Sequence, residues 1–149
     1  MVRWLDAEEQ ALWRSFLELD RQLERTVERQ LAEFGMSHAD YAVLVVLSEA
    51  TDHQLRVRDL GETIAWESSR LAHHLRRMER RGLVRRGDHP VDRRGTLVFI
   101  TDAGLQLITS AAPGHAETVR KAFMDRLTRS EIADLTKLFG RIATPDALP

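Results

Sequence analysis

Three observations predict the fold class: long apolar stripes at helical spacing near both ends of the chain, two short helical segments closed by a glycine in the middle, and two strand-like runs around a polar insert. Together they predict a mainly α protein, a winged helix-turn-helix of order α-α-β-α-α-β-β-α-α. The expected segments are a first long helix in 1–35, the winged helix-turn-helix in 36–101, and C-terminal helices in 102–149. The outer helices extend past what the central domain needs for its own core.

The elements follow in order. Leu5, Leu12, Phe16, Leu19, Leu23, Val27, Leu31 and Phe34 fall on spacings of three, four and seven, one stripe on a single long helix. Most helices run only about 11 or 12 residues, so one this long seeks an extended partner. Gly35 ends it. In "SHAD", Ser37 predicts an N-cap with Asp40 completing a capping box, and the helix that follows turns Tyr41, Leu44, Val45 and Leu47 inward. After the polar break "ATDHQ", "LRV" reads as an edge strand. "RDLGETIAW" reads as a short helix using Leu60 and Ile64, and "SSRLAHHLRRMERR" as a second helix, stopped by Gly82 and buried along Leu71, Leu75 and Met78. "LVRR" and "TLVFI" are two strands joined by an insert from Gly87 to Gly95 that contains Pro90. "TDAG" opens a long helix at Thr101, which Pro113-Gly114 should kink or interrupt, because proline removes a donor and clashes with the preceding turn. Val119, Phe123 and Leu127 resume the stripe. "TRSE" is a second capping box, and Ile132, Leu135, Leu138, Phe139 and Ile142 stripe the last helix before a frayed tail.

The 149 residues carry a net charge of -1, and that total hides an asymmetry. Between Glu67 and Arg94 stand nine arginines and four acidic residues, a balance of +5, whereas the rest of the chain has 13 basic and 19 acidic residues, a balance of −6. A basic block on an acidic body is the electrostatic footprint of a nucleic-acid reader.

On the helix from Ser68 to Arg81, Ser69, His73, Arg76 and Arg80 form one outward row, and Arg70, His74, Arg77 and Arg81 the adjacent row. Short polar groups near the N-terminus and arginines beyond them suit a major-groove helix, whose first residues reach base edges while later cations meet phosphates. A charge-rich helix is more often just a solvated face. The second arginine cluster on the following hairpin is what favours DNA over that reading. The expected contacts are Ser68, Ser69, Arg70, His73, His74, Arg76 and Arg77 from the helix, with Arg86, Asp92, Arg93 and Arg94 from the wing. There Asp92 fixes the loop and Arg94 enters a minor groove, where narrow A·T-rich segments concentrate negative potential. The bland alternative for that pair is a surface salt bridge.

The stretch "LGETIAWESSRLAHHLRRMERRGLVRRGDHPVDRRGTLVFITDAG" resembles the DNA-binding part of the MarR (multiple antibiotic resistance regulator) family. The marks are the leucine-bearing helix-turn-helix, "RMERRGLVRR", the wing "DRR" and the closing "ITDAG", and the likeness extends over the whole chain, because that family's dimer helices lie where the long outer helices lie here. One departure is Glu67, standing where the family usually carries a serine-type cap. The resemblance implies a homodimeric transcriptional regulator, usually a repressor, on a pseudo-palindromic operator in double-stranded DNA. It also implies a small aromatic or anionic effector bound where dimer helices and winged helix meet, with His38 and Arg21 holding its anionic group. The alternative for those two is a half-exposed turn histidine and a solvated arginine. Trp4, Trp13 and Trp66 are expected in core or dimer packing.

Other classes find little support. There are no cysteines, which excludes disulfides, thiolate metal sites and thiol-based peroxide sensing. Of the six histidines, His73 and His74 stand about 100° apart on a helix, and the others lack chelating spacing, so no metal or other cofactor is expected. The phosphate-loop, nucleophile-elbow and zinc-protease motifs are absent, and no enzyme is expected. No 18-residue apolar run is present, and "MVRWLDAEEQ" turns acidic at once. No membrane partner and a cytoplasmic location are expected. The rival function is a winged helix serving as a protein-interaction module without DNA reading, since fold does not fix function.

Overall fold

The computed structural model describes residues 2–88 and 95–143. The helices are α1 (Ala7–Ala32), α2 (His38–Glu49), α3 (Val57–Thr63), α4 (Ser68–Arg80), α5 (Asp102–Ala122) and α6 (Arg129–Ile142); the strands are β1 (Gln54–Arg56), β2 (Val84–Asp88) and β3 (Thr96–Ile100). The predicted order of elements and the winged helix-turn-helix are present. The chain divides into two compact units, 28–115 and a second made of 1–27 with 116–149.

The unit 28–115 holds the main core. Leu31, Val43, Leu44, Leu47, Leu60, Leu71, Leu75, Met78 and Val98 are essentially solvent-free. Each such side chain contributes about 1.5–3 kcal/mol relative to leaving it in water. Of the residues expected inward on α2, Leu44 and Leu47 are buried, whereas Tyr41 and Val45 are only half-buried; Val43 takes the third inner position. Ser37 caps α2 as expected: its Oγ accepts from the Asp40 amide at 3.1 Å, and its own amide donates to Asp40 Oδ2 at 3.0 Å. The sheet has the order β1-β3-β2, all antiparallel, with Val98 opposite both Leu55 and Arg86. The strand read as an edge therefore is one.

Helix ends are built alike. The Met36 amide donates to Leu31 O and that of Leu83 to Met78 O, while Gly35 and Gly82 sit at φ 64° and 71°. Those conformations favour glycine. At the end of α3 the same position is occupied by Ala65, at φ 53°, where the left-handed region costs an L-residue about 1–2 kcal/mol. A different constraint acts on Gly104, in the first turn of α5. A Cβ there would stand 2.2 Å from Leu83 O. The turn comes that close because Thr101 donates its amide to Leu83 O at 3.1 Å and its hydroxyl to Gly82 O at 2.6 Å.

Of the expected kink or interruption at Pro113, the interruption is corrected: α5 continues through it. Proline deletes one amide donor, but Pro113 is exposed, and Gly104, Ile108 and Ala111 hold the preceding turns by burial. One lost bond on a wet face does not end a helix anchored in this way.

The other unit contains the N-terminal part of α1, the end of α5, and α6. Helix α1 begins at Ala7 and not Leu5, because Asp6 and Glu9 cap each other: the Glu9 amide donates to Asp6 Oδ1 at 2.9 Å, and the Asp6 amide to Glu9 Oε2 at 3.0 Å. The expected Thr128–Glu131 capping box opens α6. Much of the apolar stripe lies in solvent: Leu12, Trp13, Phe16 and Leu19 on α1 and Leu138, Phe139 and Ile142 on α6 are exposed. Trp4 is 85% exposed and Trp13 stacks on Phe16 at 5.7 Å, so neither tryptophan is a core residue within the protomer.

Candidate nucleic-acid interface

Helix α4 separates its faces sharply. Leu71, His74, Leu75 and Met78 are buried, and Ser68, Ser69, Arg70, His73, Arg76, Arg77 and Arg80 are exposed. Six of the seven expected helix contacts therefore share one solvent-facing surface. Glu67 occupies the N-cap and its side chain makes no cap hydrogen bond, in keeping with glutamate's poor capping. The helix starts at Ser68 nonetheless, held by its inner stripe.

His74 is the exception, and its outward placement is corrected. It lies three residues after Leu71 and four before Met78, which puts it on the buried stripe. There its Nε2 stands 3.0 Å from Oδ1 of Asp40, which is itself buried. Arg81 also leaves the expected outer row. Its Nη1 donates to Asp40 Oδ2 and its Nη2 to Gly35 O, each at 2.7 Å. Burial on its own would raise the Asp40 pKa, but the close approach of His74, the Ser37 hydrogen bond and the Arg81 guanidinium together hold the carboxyl well below the usual carboxylate range. Asp40 thus joins two helices: it caps α2 and pins the far end of α4. Its role as a cap was readable from "SHAD", whereas its partners, more than 30 residues away, were not.

In the wing, Arg86 is engaged internally. Its Nε and Nη2 donate to Glu79 Oε2 at 2.9 and 2.7 Å, and its amide to Oε1 at 3.0 Å. Those bonds outweigh burial and lower the Glu79 pKa. The pair fastens β2 to α4 and removes the one acid of α4 from its cationic face. Arg85 lies over the Phe99 ring at 4.2 Å. The expected contacts Asp92, Arg93 and Arg94 lie outside the described residues.

Trp66 is half-buried at the entry to α4, not in the core. The Arg70 guanidinium lies over its ring at 4.1 Å, and the His74 ring meets it edge-on at 5.5 Å and 86°. A surface cleft follows from this arrangement, lined by Ser37, Trp66, Ser69, Arg70, His73 and Arg77. Arg21 is exposed on α1 in one unit, and His38 is exposed as the first residue of α2 in the other. Near His38, the His115 ring meets Tyr41 at 4.0 Å with the planes tilted by 33°, and burial followed by the charge of His38 lowers the His115 pKa. Among the described residues no cluster of three metal-ligating side chains exists.

The family model described as the MarR family matches residues 34–95. AbsC, a MarR family transcriptional regulator from Streptomyces coelicolor, is 39% identical with a TM-score of 0.92, over 95% of this chain and 96% of that one. Sco3205, a MarR family transcriptional regulator from the same organism whose structure is a complex with DNA, is 40% identical with a TM-score of 0.91, over 96% and 90%. The transcriptional repressor YetL of Bacillus subtilis is 24% identical over 136 residues, 91% of this chain and 81% of its own. With a relative nearly 40% identical along almost its full length and with the same winged helix, this chain belongs to the MarR family of transcriptional regulators.

Proposed function

We propose that the protein is a sequence-specific reader of double-stranded DNA, acting as a homodimeric repressor on a pseudo-palindromic operator. The observation that carries the reading is the exposed face of α4: two serines, a histidine and four arginines, with its only acid turned to Arg86. In this reading Ser68, Ser69, Arg70 and His73 address base edges in the major groove, and Arg76, Arg77 and Arg80 meet phosphates. Asp92 fixes the wing loop, Arg93 contacts DNA beside it, and Arg94 enters the adjacent minor groove. The DNA complex of the 40%-identical Sco3205 and the repressor relative YetL support it.

The dimer reading rests on the exposed apolar residues of α1 and α6, with segments 1–35 and 102–149 as the pairing helices. A two-fold pair sets two recognition helices about one DNA turn apart. Release by a small aromatic or anionic ligand, with Arg21 and His38 as its cationic contacts, belongs to the same proposal, as does a cytoplasmic location. Among the described residues no helix is long and apolar enough to cross a membrane.

The test is duplex binding across a salt series, followed by fluorescence anisotropy. The logarithm of affinity should fall linearly with the logarithm of salt, and Arg77→Ala should reduce the slope by about 1.8, one phosphate contact from each subunit of the dimer. No duplex binding even in dilute buffer would establish the protein-interaction module instead.

A further inference from the structure

The turn between α3 and α4 delivers one aromatic side chain to the start of the recognition helix. The Trp66 amide donates to Gly61 O at 2.9 Å and the Ala65 amide to Glu62 O, which fixes the backbone on one side, while α4 begins two residues later. The left-handed alanine is held there at a steric cost. The indole is constrained as well. Its edge-on neighbour His74 is buried and faces Asp40, which is bound in turn by Ser37 and Arg81. The ring is therefore a fixed platform, and Arg70, four residues on, lies across it.

A guanidinium whose carbon lies over a ring engages that ring without using up its N–H groups, which leaves an N–H edge free. That edge is the one a guanine O6/N7 pair accepts from. An exposed arginine must also freeze several torsions to meet a base, and one already stacked has fewer left to lose. Among the described residues, Arg76, Arg77 and Arg80 have no comparable support; they are suited to phosphates, which tolerate a range of approaches. We propose that Trp66 is a positioning residue for base reading: it presents the edge of Arg70 to one base pair in each half of the operator. The inference rests on the reading of α4 as a major-groove helix.

The test uses the full chain and an operator recovered by selection from a random duplex library, together with all its single base-pair variants. Arg70→Ala should flatten the preference at one position in each half-site. Trp66→Leu, which keeps an apolar side chain but removes the aromatic face, should weaken discrimination at that same position by about two- to five-fold, the range of an exposed cation–π contact. Affinity for unrelated duplex should stay within two-fold, and Trp66→Phe should retain most of the preference. The double variant Arg70→Ala/Trp66→Leu should discriminate no worse than Arg70→Ala alone. Equal weakening on every variant duplex, additive losses in the double variant, or an unchanged preference in Arg70→Ala would each overturn the proposal while leaving DNA reading intact. Failure of the parent chain to bind any duplex would remove both.

Discussion

Removing Asp40 should unfold more than a cap. The Asp40 carboxylate serves two donors, the Ser37 amide and Arg81 Nη1, both on Oδ2, and its Oδ1 stands 3.0 Å from His74 Nε2. Stripping one member from a buried ion pair costs about 3–5 kcal/mol. Arg81 is 41% exposed, so water takes over part of its solvation and the lower end applies. The lost bond to the Ser37 amide adds roughly 1 kcal/mol. Asp40→Ala should therefore cost about 4 kcal/mol, and Asp40→Asn, which retains one acceptor and the shape, about half as much. The assay is urea unfolding followed by circular dichroism at fixed protein concentration, because dimerisation would make the midpoint concentration-dependent. The pH dependence has a definite sign. The folded carboxyl titrates below its unfolded counterpart at about 3.9, so its contribution is complete above that value and is lost as pH falls below it. The gap between parent and Asp40→Asn should then shrink from pH 5 towards pH 3. A cost under 1 kcal/mol for Asp40→Ala, or a gap that widens in acid, would refute the network.

Three further outcomes follow from geometry. Gly104→Ala places a carbon against the backbone of Leu83, and should lower stability by at least about 3 kcal/mol, as overpacking against unyielding backbone does; a melting temperature within 2 °C of the parent would contradict the close approach. Arg86→Ala should cost about 1 kcal/mol of stability, the pair being partly exposed, yet leave the salt slope of duplex binding unchanged, whereas a reduced slope would make Arg86 a phosphate contact. Light scattering at micromolar concentration should find twice the chain mass, and a uniform 17.1 kDa species would defeat the dimer.

Most of the fold was legible because its signals are local. The 3.6-residue stripe located α4, two capping boxes located the starts of α2 and α6, and glycines marked two helix ends. The exposed row of α4 was legible for the same reason. What escaped was whatever depends on contacts distant in sequence. Histidine placed on an inner stripe is neither plainly apolar nor plainly polar, and only its meeting with Asp40 shows why His74 is buried. Arg86 looked like one more free cation until β2 came alongside Glu79. Pro113 carried a strong local signal against a helix, but neighbouring burial outweighed one missing donor. Trp66 reads by its residue type as a core or dimer-packing residue; it is half-buried outside the core, two residues before α4, and its packing there against His74 and Arg70 depends on that entry to the helix.

Glu79 and Asp40 between them change how the charge of this surface should be counted. Two of the nine arginines in the basic block, Arg81 and Arg86, already face carboxylates within the domain. The Arg86–Glu79 pair already cancels within the +5 balance, whereas Asp40 lies outside the segment, so the sum overstates by one the charge met by an approaching polyanion. Chains of similar composition but lacking either carboxylate would be stickier and less discriminating, because the released guanidinium groups would add affinity for any duplex and preference for none.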